Sequence, residues 1–250
     1  MTKYQPKQNI LNNKTILITG ASSGIGREAA ITYSYFGASI ILIGRTKEKL
    51  NIVKSEIRKQ TGRSSAIYIL DLLTATKETY KLLVKNIKKE HQFLNGVLHN
   101  ASILGEISLI KNQSSVTWHN VMQVNINGPF MLTQALLPFL LKTNNASLVY
   151  TSSSVGKKGR AGWGAYAVSK FATEGLMQIL ADEYKETNLR VNSINPGAVN
   201  TNMRANAFPL EDPLKLKTPT DIMPAYIYLM SDDSLGKTGI SFDAQSDNFI

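Results

Sequence analysis

The amino-acid sequence predicts one doubly wound α/β domain, a mainly parallel seven-stranded sheet with helices on both faces. Short apolar runs alternate with segments of helical periodicity, and no linker, repeat or low-complexity segment interrupts them. The apolar runs lack polar alternation, as expected for strands that are covered on both sides. With 250 residues, 43% hydrophobic and 18% charged, the chain has the composition and size of one globular domain. We expect that domain to span residues 14–250, after an N-terminal extension of residues 1–13.

The first strand is KTILITG (14–20), a β-branched apolar run that ends at a glycine. Helices are predicted to follow at 24–37 and 46–62, closing on Gly37 and Gly62, because glycine commonly ends helices. The other strands are predicted at 38–44, 65–70, 96–101, 147–154, 190–197 and 239–244, and the other helices at 75–90, 115–141, 163–185 and 219–231. This alternation requires right-handed crossovers between parallel strands.

The composition excludes several classes of function. The chain has no cysteine, so disulfides, thiolate catalysis and cysteine zinc sites are excluded. Its N-terminus is polar, and no run of about 18 apolar residues occurs, so we expect a cytoplasmic protein without a membrane span. The net charge of +10 favours anionic ligands. Without the interleaved aromatic and basic residues of an RNA-binding module, it does not predict a specific nucleic-acid partner.

A glycine-rich turn, TGASSGIG (19–26), joins the first strand to the first helix. Gly20 would permit a tight turn, Gly24 would let the backbone approach a pyrophosphate, and Gly26 would permit close packing of helix on strand. Ser22, Ser23 and Ile25 complete this candidate phosphate site. The alternative is an ordinary Gly/Ser turn, against which the position after the first strand argues.

The ends of the second and third strands carry candidate contacts for an adenosine moiety. Gly44 stands where NAD enzymes often have an acid, and Arg45 offers a guanidinium for a 2′-phosphate, so NADP is favoured over NAD. The alternative is a surface arginine. Asp71, beside Leu72, could accept a hydrogen bond from the adenine amino group or could cap the next helical region.

Five polar residues converge on the same edge of the predicted sheet: Asn100, Asn125, Ser153, Tyr166 and Lys170. Asn100 and Ser153 stand at strand ends, and Asn125 interrupts an apolar helix face. Tyr166 and Lys170 are four residues apart and therefore share one helix face. Each residue alone has an ordinary structural explanation, but chance convergence of all five is a poorer account.

Together, the turn at 19–26, Asn100-Ala101, Asn125, Ser153 and Tyr166-x-x-x-Lys170 resemble the short-chain dehydrogenase/reductase family. The segment PGAVNT (196–201) resembles the family's PGxxxT. Segments such as LHNASILGE and RAGWGAYAVSKFATEG further resemble its YciK-type subgroup of bacterial short-chain oxidoreductases. The resemblance implies a Rossmann-like fold, NADP(H) as cofactor and a small-molecule carbonyl or alcohol substrate.

The resemblance also implies roles for individual residues. Tyr166 would be the general acid–base, and Lys170, with the positive nicotinamide ring, would lower its pKa from near 10. Lys170 would also hold the nicotinamide ribose, Ser153 would stabilise the oxyanion and Asn125 would anchor a proton-relaying water. Thr201 would contact the carboxamide. The remaining cofactor contacts would come from Asn100 and Ala101 at the adenosine ribose and from Pro196, Gly197 and Val199.

The chain departs from the family pattern at two places. Ser102 replaces the glycine of Asn-Ala-Gly, so a Cβ would crowd the cofactor or require a backbone shift. The usual C-terminal VDGG is FDAQ (242–245), which bears on the expected homodimer or homotetramer.

Two segments near the predicted site leave their roles open. Residues 198–217 have the composition of a substrate lid. The basic loop 157–160 could meet an anionic substrate or be a solvated loop. The rival function is a catalytically silent NADP(H)-binding regulator, which would have no need of all four of Asn125, Ser153, Tyr166 and Lys170.

Overall fold

The computed structural model describes residues 4–246 and contains one seven-stranded sheet. All the strands are parallel, in the order β3-β2-β1-β4-β5-β6-β7. The strands are β1 (Thr15–Thr19), β2 (Ser39–Gly44), β3 (Ser65–Ile69), β4 (Gly96–His99), β5 (Ala146–Thr151), β6 (Leu189–Asn195) and β7 (Ser241–Asp243). The predicted fold class is confirmed.

Helices cover both faces of this sheet. They are α1 (Gly24–Tyr35), α2 (Lys47–Thr61), α3 (Lys77–Glu90), α4 (Ser115–Met122), α5 (Gly128–Leu140), α6 (Gly164–Glu183), α7 (Asn202–Ala207) and α8 (Met223–Met230). Side chains of α1, α2 and α8 share one buried apolar cluster with β1 and β2, and side chains of α3, α5 and α6 share the other. The two clusters explain why the strands carry apolar residues without alternation.

Successive strands are added on opposite sides of β1: β2 and β3 lie on one side, and β4 to β7 lie on the other. β1 pairs with β2 on one side, placing Ile16 opposite Ile40, and with β4 on the other, placing Ile16 opposite Gly96. The crossovers from β1 and β4 run in opposite directions, so a crevice opens at the carboxyl ends of these two strands.

The structure corrects the predicted boundaries by one to a few residues at most ends. α1 ends at Tyr35 rather than at Gly37, whereas Gly62 caps α2 in the left-handed conformation, with φ +70°. The predicted helix 115–141 is continuous, but its middle, Gln123–Asn127, is a π-helix between α4 and α5. The sequence did not predict α7, because its residues have no apolar periodicity.

Residues 4–13 pack beside α8 in this structure. The Leu11 side chain is fully buried, and the Tyr4 ring lies 5.3 Å from that of Tyr228. Lys14, just before β1, pairs with Asp232 at 2.7 Å. No helix within residues 4–246 is long and apolar enough to cross a membrane.

Candidate active site

A cavity of about 660 Å³ opens at the crevice beside β1 and β4. Nearly all of the predicted site residues line it: Gly20, Ser22, Ser23, Gly24, Ile25, Arg45, Asp71, Leu72, Asn100, Ala101, Ser153, Tyr166, Lys170, Pro196, Gly197, Val199 and Thr201. Gly26 and Asn125 do not line it, and each has a packing contact instead. The cavity thus joins predicted site residues that are as far apart in sequence as Gly20 and Thr201.

The glycine turn has its predicted geometry. Gly20 has φ +66°, and a Cβ there would lie 2.8 Å from the Ala101 Cα. Gly24, with φ +52°, faces the methyl group of Thr201. A Cβ at Gly26 would collide with the Gly20 carbonyl and the Asn100 side chain, so this glycine permits the close approach of α1 to the turn.

Thr19 is a site residue that sequence reasoning missed. Its Oγ1 accepts hydrogen bonds from the backbone N–H groups of Asn100 (3.0 Å) and Ala101 (3.1 Å). These bonds fix the end of β4 against the glycine turn, which sets the width of the cavity. A hydroxyl as the last residue before the turn glycine was the available signal.

At the β2 end of the cavity, the Arg45 side chain is exposed and has no hydrogen-bonding or ion-pair partner within residues 4–246. Arg27, which also lines the cavity, donates to both Glu56 oxygens at 2.8 Å. Arg204 at the other end is likewise engaged, by Glu211. Arg45 is therefore the guanidinium of this lining that is free to meet an added anion.

Asp71 forms a turn of its own. Its Oδ1 accepts the N–H of Leu73 at 3.0 Å, and its carbonyl accepts those of Thr74 and Ala75. The N-cap of α3 is Thr76, so the helix-cap interpretation of Asp71 is wrong. Since Asp71 also lines the cavity, the adenine interpretation remains.

Tyr166 and Lys170 lie one turn apart on α6, with only 8% and 3% of their surfaces exposed. The Lys170 Nζ lies 5.4 Å from the centre of the Tyr166 ring and donates to the Thr151 carbonyl at 2.8 Å. Ser153 follows β5 and reaches the Tyr166 hydroxyl. The strand end and the helix thus bring an acid, a cation and a hydroxyl to one wall of the cavity.

Burial dominates the protonation of this pair. It raises the pKa of Tyr166 to about 12, and the hydrogen bond with Ser153 opposes it. It lowers the pKa of Lys170 to about 8, against the attraction of the Glu174 carboxylate. The predicted lowering of the Tyr166 pKa includes the effect of a positive nicotinamide ring, so it stays a prediction for the protein with cofactor. In the protein alone, removing the phenolate from water raises the pKa.

Asn125 sits in the π-helical segment and is buried. Its Nδ2 donates to the Ile103 carbonyl (2.9 Å) and to Ser169 Oγ (3.0 Å), and its Oδ1 accepts the Ile103 N–H (2.8 Å). Both amide protons are engaged. The side chain therefore fastens the segment after β4 to α6, the helix of Tyr166 and Lys170, while its predicted role toward a water stays a prediction.

An apolar cluster around Tyr166 was also missed by the sequence analysis. Leu104, Trp163 and Met203 pack against it and line the cavity. By contrast, residues 157–160 are all exposed and lie outside the lining, in agreement with the interpretation as a solvated loop.

The two departures from the family pattern have structural counterparts. Ser102 has no positive φ, lines the cavity and keeps a buried Oγ without a hydrogen-bond partner in the described protein. The predicted crowding of the cofactor by the Ser102 Cβ stays a prediction. Gln245, in the FDAQ segment, donates through Nε2 to the carbonyls of Pro196 (3.0 Å) and Ala198 (2.9 Å), and so holds the wall that follows β6.

The fold and this site define an oxidoreductase of the dinucleotide-binding α/β class, and comparison with known proteins supplies the family. The family model described as short chain dehydrogenase matches residues 14–212, so the chain belongs to that family. The resemblance seen in the sequence is confirmed.

Close relatives come from enteric bacteria. The uncharacterized oxidoreductase YciK of Escherichia coli is 61% identical over 242 residues, which are 97% of this chain and 96% of that protein. A short chain dehydrogenase structure from Shigella flexneri, complexed with NADP, has a TM-score of 0.95 and 60% identity and covers 96% of this chain and 100% of its own. An Escherichia coli structure complexed with NADPH has the same TM-score, identity and coverage.

Proposed function

We propose that the protein is an NADP(H)-dependent oxidoreductase that interconverts a carbonyl compound and its alcohol. The observation that carries this proposal is the single cavity wall shared by Ser153, Tyr166 and Lys170. A hydroxyl, a phenol and an ammonium on one wall match the groups needed to protonate and stabilise a developing alkoxide.

The cavity residues fit a dinucleotide with a 2′-phosphate. Gly20 and Gly24 leave open a backbone cradle that a Cβ would strain or fill. Among residues 4–246, no carboxylate pairs with Arg45, so its guanidinium can meet the 2′-phosphate. Two relatives hold NADP or NADPH. When bound, the cofactor supplies or accepts the hydride.

The protein's own residues would handle the proton. With its pKa raised to about 12, Tyr166 keeps its phenolic proton at neutral pH and can donate it to a carbonyl oxygen. Ser153 would donate a hydrogen bond to the same oxygen, and Lys170 would hold positive charge beneath the phenol. The raised pKa favours reduction at neutral pH. Oxidation requires a phenolate, so it should speed up with rising pH.

The direct test is NADPH consumption by the purified protein with aldehydes, ketones, quinones and β-keto thioesters. The proposal expects at least one class to be reduced, with the rate abolished by Tyr166→Phe and retained by Tyr35→Phe, an exposed tyrosine on α1. Turnover that survives in the Tyr166→Phe variant would contradict the assigned chemistry.

We further propose that the protein assembles as a homodimer or homotetramer through α5 and α6. Phe130 and Ile179 are exposed and border one apolar groove between these helices. A two-fold contact would bury the same patch on both copies. Light scattering should show an oligomer that Ile179→Glu dissociates; a monomeric wild type would refute the assembly.

A further inference from the structure

The substrate end of the cavity has a preformed aromatic wall. Trp163 lines the cavity, and its ring centre lies 5.8 Å from that of Tyr166. Leu104 and Met203 also line the cavity, and with Trp163 they pack against the small apolar cluster that contains Tyr166. Any group attached to a carbonyl at the Tyr166 hydroxyl therefore meets an apolar surface with one large flat ring.

The Trp163 ring of this wall is held in place by neighbouring side chains. The Phe208 ring lies 5.7 Å from that of Trp163, and the Arg204 guanidinium covers Phe208 at 3.8 Å. Arg204 is itself held by both carboxylate oxygens of Glu211. A stack of four side chains thus fixes the Trp163 ring, so little rearrangement is needed when a ligand lies against it.

Neither cation at this end of the cavity is free to pair with a substrate. The Lys170 ammonium is buried beside the Tyr166 ring and donates to the Thr151 carbonyl at 2.8 Å. Arg204 lines the cavity, but its guanidinium is neutralised by Glu211, whose pKa the pairing lowers. The unpaired Arg45 lies at the end of β2, three strand positions from β5, or about 14 Å at 4.8 Å per strand. An anionic group beside Trp163 would be desolvated without a partner, which is unfavourable.

We propose that the substrate is an uncharged carbonyl compound whose flat, apolar group, such as an aromatic ring, lies against Trp163. This inference rests on the proposed function and adds the substrate class to it. Selectivity against anionic carbonyl compounds then comes from the Arg204–Glu211 pair, and selectivity for rings comes from Trp163.

The test compares three aldehydes. Para-isopropylbenzaldehyde and para-carboxybenzaldehyde are nearly equal in size and shape but differ by one charge. Propanal has no ring and measures the contribution of the aromatic group. We expect kcat/KM with NADPH to be at least about tenfold higher for the isopropyl compound than for either of the others. Equal use of the charged and uncharged aldehydes, with both rates lost in Tyr166→Phe, would overturn the inference and leave the proposed function standing.

Two variants distinguish the contribution of Trp163 to substrate selectivity from that of the Arg204–Glu211 pair. Trp163→Ala should lower the ratio of kcat/KM for para-isopropylbenzaldehyde to that for propanal about tenfold. Glu211→Gln frees Arg204 and should raise the relative use of para-carboxybenzaldehyde about two- to fivefold. The control is Asp182→Asn, which breaks an exposed lysine pair on α6 and should leave the ratio unchanged. Unchanged ratios in both test variants would refute the assignment.

Binding decides the matter if none of these aldehydes is reduced, because the proposed function is then tested by the other carbonyl classes and the subsite needs a readout of its own. The two tryptophans are Trp118 and Trp163, so fluorescence in a Trp118→Phe background reports Trp163 alone. Para-isopropylbenzamide should quench it at concentrations at least about tenfold below those of para-carboxybenzamide. Equal quenching, or none by either compound, would remove the subsite itself.

Discussion

The two ends of the cavity present opposite electrostatic environments. At the β2 end, Arg45 is exposed and unpaired within the described chain. At the β5 end, Tyr166 and Lys170 are buried and both are shifted toward their neutral forms. An exposed charge acts weakly and is screened by salt, whereas a buried charge acts strongly and carries a desolvation cost.

This difference separates recognition from chemistry. The open end can select between cofactors that differ by one phosphate without affecting the stability of the protein. The closed end holds groups whose protonation is coupled to folding, so substitutions there should change rate, affinity and stability together. The predictions below test that contrast, from the largest expected effect to the smallest.

Tyr166→Phe should give the largest change. It removes a general acid, and such groups contribute typically 10²–10⁴-fold to the rate. NADPH affinity, measured by fluorescence titration, should stay within about twofold, because the phenyl ring keeps its packing against Trp163. A variant that loses cofactor binding along with rate would show that the hydroxyl has a binding role that we do not assign to it.

Lys170→Met should affect both steps. Loss of the ammonium removes a proposed ribose contact and the charge beside Tyr166, so we expect about a tenfold weaker NADPH Kd and a fall in kcat of about 10²-fold. The control is Lys185→Met on the same stretch of chain, an exposed lysine paired with Asp182. Loss of rate with unchanged Kd would contradict the double role.

When no cofactor is bound, the Lys170→Met variant should be more stable to unfolding than the wild type. The folded-state pKa of Lys170, about 8, lies below its unfolded value of 10.5, so below about pH 8 the folded protein carries a buried ammonium at a cost. The unfolded state binds more protons between these values, and wild-type stability should therefore rise with pH across that window. Lys170→Met should lack this rise and gain about 1–3 kcal/mol at pH 7.

Thermal unfolding in the absence of cofactor measures this effect. A gain of 1 kcal/mol corresponds to about 2–4 °C in Tm for a domain of this size. Scans should be kept below about pH 9.5, because Tyr166 contributes in the opposite direction at higher pH. Its pKa is about 12 in the folded protein and near 10 in the unfolded chain, so the free energy of unfolding falls as the pH rises above about 10. A destabilised Met variant at pH 7 would show that the Thr151 hydrogen bond outweighs the burial cost.

Arg45→Ala tests the open end of the cavity. A charge-assisted contact with a 2′-phosphate contributes about 1.5–3 kcal/mol, so the NADPH-over-NADH ratio of kcat/KM should fall about ten- to hundredfold. Gly44→Asp should lower it further by repelling the phosphate, and high salt should narrow the wild-type ratio. Arg58→Ala, an exposed arginine on α2, is the control. A wild type that uses both cofactors equally would show that this interpretation of β2 is wrong.

The sequence predicted the fold because each strand and most helices carry their own local pattern. The predicted strands at 38–44 and 147–154 both exist, and only their ends differ, at Ser39–Gly44 and Ala146–Thr151. The π-helix at Gln123–Asn127 had no such signal, since a wider turn uses the same residue types as an α-helix. Its cause is tertiary: the bonds of Asn125 to Ile103 and Ser169.

In the candidate site, too, features set by the local sequence were predicted and features set by tertiary contacts were not. Glycines and strand-end polar residues were identified because turn geometry and parallel topology place them at one edge. The raised pKa of Tyr166 in the protein without cofactor was not predicted, because burial is a property of the assembled fold. The partners of Arg27 and Arg204 were equally invisible, since Glu56 and Glu211 become neighbours only after folding.

Ser102 lies between these two ends and should show the smallest effect. In the sequence it suggested a clash, but its Oγ is a buried hydroxyl on the cavity wall without a partner. If the hydroxyl donates to the cofactor, Ser102→Ala should weaken NADPH and NADH binding equally, about two- to tenfold, as expected for a neutral hydrogen bond of 0.5–1.5 kcal/mol.

Ser102→Gly distinguishes the effect of the hydroxyl from that of the Cβ. The control is Ser154→Ala, at an exposed serine after β5. Tighter NADPH binding by both Ser102 variants in calorimetry would show that the side chain crowds the cofactor after all. An effect on NADPH binding alone would place Ser102 at the 2′-phosphate. It would contradict the assignment of cofactor selection to the β2 end of the cavity.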